Sequence, residues 1–198
     1  MTRPKIIGLT GSIGMGKSTV AAMFERAGIP IFDADAEVRA MQGPGGTLIP
    51  AIEAAFPGST GAEGVDREAL GKLVFADKER LQQLEAIVHP AVGKRRADFL
   101  EEHVNAPLIL FDIPLLFEGG GDANVDHVVV VSAPESIQRE RVLARPGMTP
   151  EKLEHILGLQ THDTEKRKRA DYVIDTGLSL EETEQQVRDL IVALKACS

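Results

Sequence analysis

Short apolar runs alternate along the chain with stretches whose apolar positions recur every three or four residues, a pattern of strands and helices in turn. The first strand is predicted from Lys5 to Leu9. A Gly-rich turn follows, then a helix from about Lys17, where Val20, Met23, Phe24 and Ala27 fall at i, i+3, i+4 and i+7. Gly28 stands where a left-handed C-terminal cap belongs. Pro30-Ile31-Phe32 reads as a second strand running into Asp33.

From Met41 to Pro107 the pattern contains no strand. Gly43-Pro44-Gly45-Gly46 opens this stretch and a further loop spans Pro57 to Gly64. The rest is helical in period: Leu70, Leu73 and Val74 share one face, and Leu81, Leu84 and Val88 share another. His89-Pro90 is expected to break the second of these helices, because proline disfavours the helical conformation at the residue before it. The stretch is longer than a single crossover helix needs, so a helical insertion forming its own lobe is expected. Strands resume at Leu108–Phe111, ending on Asp112, and at Val128 to Val131. Pro134 suits the first turn of a helix that Pro146-Gly147 ends, and Thr149-Pro150 starts another. Tyr172-Val173-Ile174 is the last strand. Ser179-Leu180-Glu181-Glu182 is a capping box, opening a terminal helix with an apolar face of Val187, Leu190, Ile191 and Leu194. Alternation of this kind implies an α/β fold on a parallel sheet.

Composition narrows the classes. At 198 residues the chain suffices for one substantial domain, and 43% hydrophobic with 26% charged residues is ordinary for a globular protein. No run approaches the ~20 apolar residues of a membrane helix, and the apolar run after Lys5 is too short for a signal peptide. A cytoplasmic protein without a membrane partner is expected. The one cysteine, Cys197, has no second cysteine to pair with, which suits a reducing compartment. A net charge of −8 argues against a nucleic-acid partner. Lys166-Arg167-Lys168-Arg169 is the local exception, either a solvated helix face or a cluster near phosphates. A monomer or small homo-oligomer is expected.

Chemistry enters with Gly11-Ser12-Ile13-Gly14-Met15-Gly16-Lys17-Ser18, which fits G-x-x-x-x-G-K-[ST] between a strand and an amphipathic helix. Glycines let backbone N–H groups wrap a polyphosphate, and the helix N-terminus adds partial positive charge. Lys17 reaches the β- and γ-phosphates of ATP or GTP, the Ser18 hydroxyl binds Mg²⁺, and Thr19 completes the phosphate-binding run. Met15 is expected to point away from the phosphates. Asp33 and Asp35 follow the second strand, at the strand ends where parallel sheets bind ligands. Asp33 is placed to take the proton of an attacking hydroxyl, Asp35 to orient substrate or a metal-bound water; each is alternatively a helix cap. Arg39 meets a substrate phosphate or lies on the surface. Asp112 holds Mg²⁺ at a strand end or caps a turn. Gln138, Arg141 and Arg145 fall on one predicted helix face, either a lid that covers the phosphates or a solvated surface. Arg139 lies on a different face.

The chain resembles dephospho-coenzyme A kinase over nearly its whole length. The resemblance rests on the run from Leu9 to Thr19, Asp33-Ala34-Asp35 with Arg39, and His89-Pro90. It continues through Asp112-Ile113-Pro114-Leu115-Leu116-Phe117-Glu118, then Gln138, Arg141, Arg145, Gln160 and Ala170-Asp171-Tyr172-Val173-Ile174. It implies a P-loop kinase core of five parallel strands flanked by helices (about 1–40, 108–138 and 170–198). It also implies a helical substrate lobe (about 41–107) and a lid (about 139–169). The implied reaction transfers a phosphate from ATP to the ribose 3′-hydroxyl of dephospho-coenzyme A. Asp33 is then the base, and Asp35, Arg39, His89, Leu115, Phe117 and Glu118 border the substrate. Two positions depart from the family pattern: Ser12 stands where glycine is frequent, and Thr176 where asparagine is frequent, near the expected adenine.

Two other readings fit the phosphate loop alone. A kinase of another small molecule on the same core is separated by acceptor selectivity. A slow nucleotide switch has no need of a hydroxyl-activating base, so its function would survive Asp33→Asn.

Overall fold

The computed structural model describes residues 3–75 and 77–196; Cys197 lies outside them. Strand β1 (Lys5–Thr10) runs into the Gly-rich loop and helix α1 (Lys17–Arg26). Gly28, with φ 78°, closes α1. Its N–H donates to the Glu25 carbonyl and that of Ile29 to Phe24, the paired bonds of a glycine-capped helix end. Strand β2 (Ile31–Asp33) leads directly into α2 (Ala34–Gln42). Then come α3 (Ile49–Ala55), β3 (Thr60–Gly61), β4 (Gly64–Val65), α4 (Arg67–Val74) and α5 (Lys78–Glu102). Strand β5 (Leu108–Asp112) is followed by a 3₁₀ turn, β6 (His127–Ser132), α6 (Glu135–Leu143), α7 (Pro150–Leu159) and α8 (Asp163–Arg169). Strand β7 (Tyr172–Asp175) and helix α9 (Leu180–Ala196) finish the chain.

Two compact units result, one running to Phe32 and resuming at His103, the other Asp33–Glu102. The first holds the parallel sheet, in the order β2-β5-β1-β6-β7, with Leu9 opposite Asp112 and Val129. Side chains alternate across it. Ile7, Leu9, Leu108, Leu110, Val129 and Val131 face a core shared with Val20 and Phe24 of α1 and Val187, Ile191 and Leu194 of α9. Val128 and Val130 face the other way, onto Leu116 and Phe117. The terminal helix is capped reciprocally, as its sequence predicts: the Ser179 hydroxyl accepts from the Glu182 N–H and the Glu182 carboxylate accepts from Ser179.

The second unit departs from expectation at three points. It starts at Asp33 and ends at Glu102, where an insertion from about 41 to 107 was expected. Helix α2 belongs to it because Val38 and Met41 join its apolar cluster with Ile52, Phe56, Leu70 and Val74, and because Glu37 pairs with Arg95 of α5 at 3.0 Å. A two-residue antiparallel ladder, β3 with β4, lies where no strand was expected. Helix α5 runs unbroken for 25 residues with Pro90 inside it. Proline removes one helical hydrogen bond there, but Leu84, Ile87 and Val88 before it and Ala91 and Val92 after it pack on the same cluster and hold both halves. Leu81, expected on that face, is instead exposed.

Candidate active site

The loop between β1 and α1 lines a cavity of about 680 Å³ in the first unit. Gly11 to Gly14, Gly16, Lys17, Ser18 and Thr19 form its floor; Arg141, Arg145, Gln160, Thr176 and Leu178 are among the residues around it. Gly14 (φ 78°) admits no side chain: a Cβ there would strike Val142 and come within 3.0 Å of the Gln138 carbonyl. The loop apex can therefore press against α6. Gly16, also left-handed at φ 85°, is the cap from which α1 departs. The side chain of Met15 is buried on the far side of the loop, its sulfur accepting from the Ala133 N–H at 3.1 Å. Its carbonyl accepts from the Thr176 hydroxyl at 2.7 Å.

Lys17 forms an ion pair with Asp112, the last residue of β5, and both side chains are largely covered. Ser18 is the second residue of α1 and lines the cavity. One carboxylate and one hydroxyl beside a polyphosphate suit Mg²⁺, which keeps several waters and takes much of its coordination from phosphate oxygens. Among the described residues no group of three or more acidic, histidine or cysteine side chains forms a metal cage.

Helix α6 ends at Leu143, short of Pro146-Gly147, since Pro146 disfavours helix at Arg145. Arg145 thus sits in the turn after the helix, not on its face, yet lines the cavity with Arg141. Arg141 donates to the Thr176 carbonyl at 2.7 Å and hydroxyl at 3.2 Å. Arg139, on another side of α6, pairs with Glu154 of α7.

The basic run of α8 divides residue by residue. Lys166 is fully buried and its ammonium lies 3.0 Å from the Glu118 carboxylate. Arg169 stacks over Phe117, 4.3 Å from the ring centroid, and pairs with Asp122 at 2.6 Å. Arg167 and Lys168 are exposed. Glu118 also accepts from the Thr161 N–H at 2.6 Å. Burial is the largest single influence on Glu118 and opposes its ionisation. The N–H groups of Thr161 and Glu118 and the Lys166 ammonium together outweigh it, holding the carboxyl below the ordinary glutamate range. Phe117 and Glu118, expected at the substrate, are therefore occupied inside the protein. Of that segment Leu115, 50% exposed, faces outward.

In the second unit Asp33 ends β2 and caps α2, one carboxylate oxygen accepting from the Ala36 N–H at 2.9 Å. The other lies 3.6 Å from the Arg39 guanidinium. Asp35 and His89 are exposed on α2 and α5. Thr176, expected near the adenine, lines the cavity, and Gln160, Leu178, Leu180 and Thr183 line it without having been assigned a contact there. No spacing signal leads to those four, because they reach the cavity through tertiary packing.

A five-stranded parallel sheet with a G-x-x-x-x-G-K-[ST] loop at the end of a central strand, and arginines over that loop, defines a P-loop kinase. Residues 5–182 match the family described as dephospho-CoA kinase. The chain is 63% identical to a dephospho-CoA kinase of Novosphingobium aromaticivorans, covering 98% of this chain and 97% of that one. It is 50% identical to one of Rhodopseudomonas palustris, covering 95% and 94%. A solved Thermus thermophilus structure superposes with a TM-score of 0.81 at 39% identity over 98% of this chain and 99% of that one. A shikimate kinase from Acinetobacter baumannii shares the fold at 20% identity, with a TM-score of 0.54 over 96% and 94%. The chain belongs to the dephospho-CoA kinase family. Among the described residues no helix is long and apolar enough to cross a membrane.

Proposed function

We propose that this kinase binds ATP in the cavity over Gly11–Thr19 and transfers its γ-phosphoryl group to the ribose 3′-hydroxyl of dephospho-coenzyme A. The observation that carries the reading is the convergence of Lys17, Arg141 and Arg145 on one cavity over the phosphate loop in a member of this family. Lys17 exchanges its Asp112 partner for the β- and γ-phosphates. Arg141 and Arg145 neutralise charge that builds on the transferring group, and the segment 139–169 acts as a lid that keeps water out. Ser18 and Asp112 would hold Mg²⁺. The metal, when bound, draws charge from the phosphate oxygens.

Asp33 is the proposed base. Its capping oxygen is committed to Ala36, but the oxygen facing Arg39 makes only a 3.6 Å ion pair and the side chain is 37% exposed. A lone pair is left to accept the proton of the 3′-hydroxyl, with the carboxylate already aimed by the cap. Asp35, Arg39, His89 and Leu115 are proposed to border dephospho-coenzyme A, with residues 33–102 as the substrate lobe.

The test is ADP release with ATP, magnesium and dephospho-coenzyme A, with the phosphate located on the product. Asp33→Asn keeps the cap and removes the base, so kcat should fall about 10²–10⁴-fold. Turnover within about threefold of the parent would remove Asp33 from this role.

A further inference from the structure

The apex of the phosphate loop is held at both ends of one residue. The Ile13 N–H donates to Gln160 Oε1 at 3.1 Å, and the Ile13 carbonyl accepts from Gln138 Nε2 at 2.7 Å. A side-chain amide offers one acceptor end and one donor end, and the two glutamines present opposite ends to the same residue. Their positions in the chain give the contact its meaning. Gln138 is buried on α6, before the proposed lid; Gln160 caps the C-terminus of α7, within it.

Each glutamine is itself fixed. The backbone N–H of Gln138 donates to the Pro134 carbonyl at 3.0 Å, and its side chain lies under Gly14. Immediately after Gln160, the Thr161 N–H donates to Glu118, which the fully buried Lys166 holds. A chain of polar contacts thus runs from the segment after β5, through the root of α8, to the loop apex.

We infer that Gln138 and Gln160 are positioning residues for phosphoryl transfer, clamping the Ile13 peptide groups so that the N–H groups of Gly14, Gly16, Lys17 and Ser18 are aimed before nucleotide arrives, while that of Met15 is bonded to the Ser12 carbonyl within the loop. The inference rests on the reading that nucleotide phosphates lie in this loop. The physical need is specific. Gly14 and Gly16 sit at positive φ, where glycine is least restrained. Donors stabilise a transition state best when no reorganisation is required at the moment of reaction. Neither glutamine is asked to touch the reacting atoms.

The experiment compares Gln138→Met, Gln160→Met and the double variant in the full chain; methionine keeps the length and removes the amide. Each single variant should lower kcat/KM for ATP roughly threefold to tenfold, the rate equivalent of one hydrogen bond. KM for dephospho-coenzyme A should stay within about twofold. Amide exchange at Ile13 should quicken in nucleotide-free Gln160→Met. The double variant should lose less than the product of the single losses, since a residue released at one end is no longer held by the other. Losses that multiply would show two independent effects and overturn the clamp. So would faster exchange at Ile13 with unchanged kcat/KM. If buried Gln138 does not tolerate methionine, Gln160→Met carries the test alone, and normal kcat/KM in it overturns the inference. Lys17→Ala separates the two readings: an active Lys17→Ala defeats the nucleotide site and the clamp with it. An inactive Lys17→Ala beside a normal Gln160→Met defeats the clamp only.

Discussion

Replacing Glu118 with glutamine tests whether the segment after β5 supports the lid root or meets the substrate. Lys166 is fully buried, and Glu118, its ion-pair partner at 3.0 Å, has a side chain 17% exposed. The Lys166 ammonium makes no well-angled hydrogen bond among the described residues, so the Glu118 charge is its main compensation. Glutamine keeps the length and an oxygen for the Thr161 N–H while removing that charge. Breaking a buried pair from one side costs about 3–5 kcal/mol. Unfolding entropy of about 2.1 cal/mol/K per residue gives about 0.4 kcal/mol/K for a chain this long, so the midpoint should fall about 7–12 °C.

Calorimetry on Glu118→Gln, Lys166→Met and the double variant checks the cause. The double variant removes both charges and fills the site with an apolar side chain, so it should regain at least half of the loss. Dephospho-coenzyme A KM should change less than about twofold. A loss of less than about 1 kcal/mol in Glu118→Gln, or additive losses in the double variant, would refute the dependence of Lys166 on Glu118. A tenfold rise in KM with unchanged stability would return Glu118 to the substrate. The pH dependence has a definite sign. The folded carboxyl is held below its ordinary value, so its contribution is complete above the unfolded value of about 4.3. It disappears as pH falls through the lower, folded value. Parent and Glu118→Gln should converge in stability at the acid end and diverge above it.

Three further outcomes follow from single contacts. Thr176→Val removes the hydroxyl that donates to the Met15 carbonyl at 2.7 Å; leaving that buried acceptor unpaired should cost about 1–3 kcal/mol in urea unfolding. Pro90→Ala restores a hydrogen bond to the Ala86 carbonyl in an exposed stretch of α5 and should stabilise the Asp33–Glu102 unit by about 1–3 kcal/mol, read in the same assay. Chelating magnesium should abolish ADP release, with recovery when excess Mg²⁺ is added; full turnover in chelator would remove Ser18 and Asp112 from metal binding.

Elements whose signals are local were legible in the sequence. Gly28, Thr149 and the Ser179–Glu182 pair mark helix ends through contacts within a few residues, and each makes the bond its position implies. Short apolar runs located all five strands of the sheet, because each run is visible within the strand itself. His89-Pro90 misled for a corresponding reason. The local penalty was read, while the apolar cluster that binds α5 on both sides of Pro90 is assembled from α2, α3 and α4. The β3–β4 ladder has only two residues in each strand, too few to show a period of two.

The candidate site divides in the same way. A phosphate loop carries its chemistry in consecutive residues, so Gly11–Thr19 was legible, and Asp112 was legible as the end of an apolar strand. The basic run was not, since four adjacent charges look alike in sequence. About 100° of helix rotation per residue separates them: Lys166 turns inward to Glu118, and Arg169, one turn on and exposed, lies along Phe117 and Asp122, while Arg167 and Lys168 turn outward. Thr176 shows what a family pattern conveys and what it leaves out. The pattern marked the position as one near adenine. The structure also gives the side chain a second task, since a hydroxyl both donates and accepts. That hydroxyl gives its proton to the Met15 carbonyl and receives the Arg141 guanidinium, joining the phosphate loop to a cavity arginine through one atom. An asparagine there would divide the same two duties between its amide and its carbonyl, so either residue can meet the requirement the loop imposes.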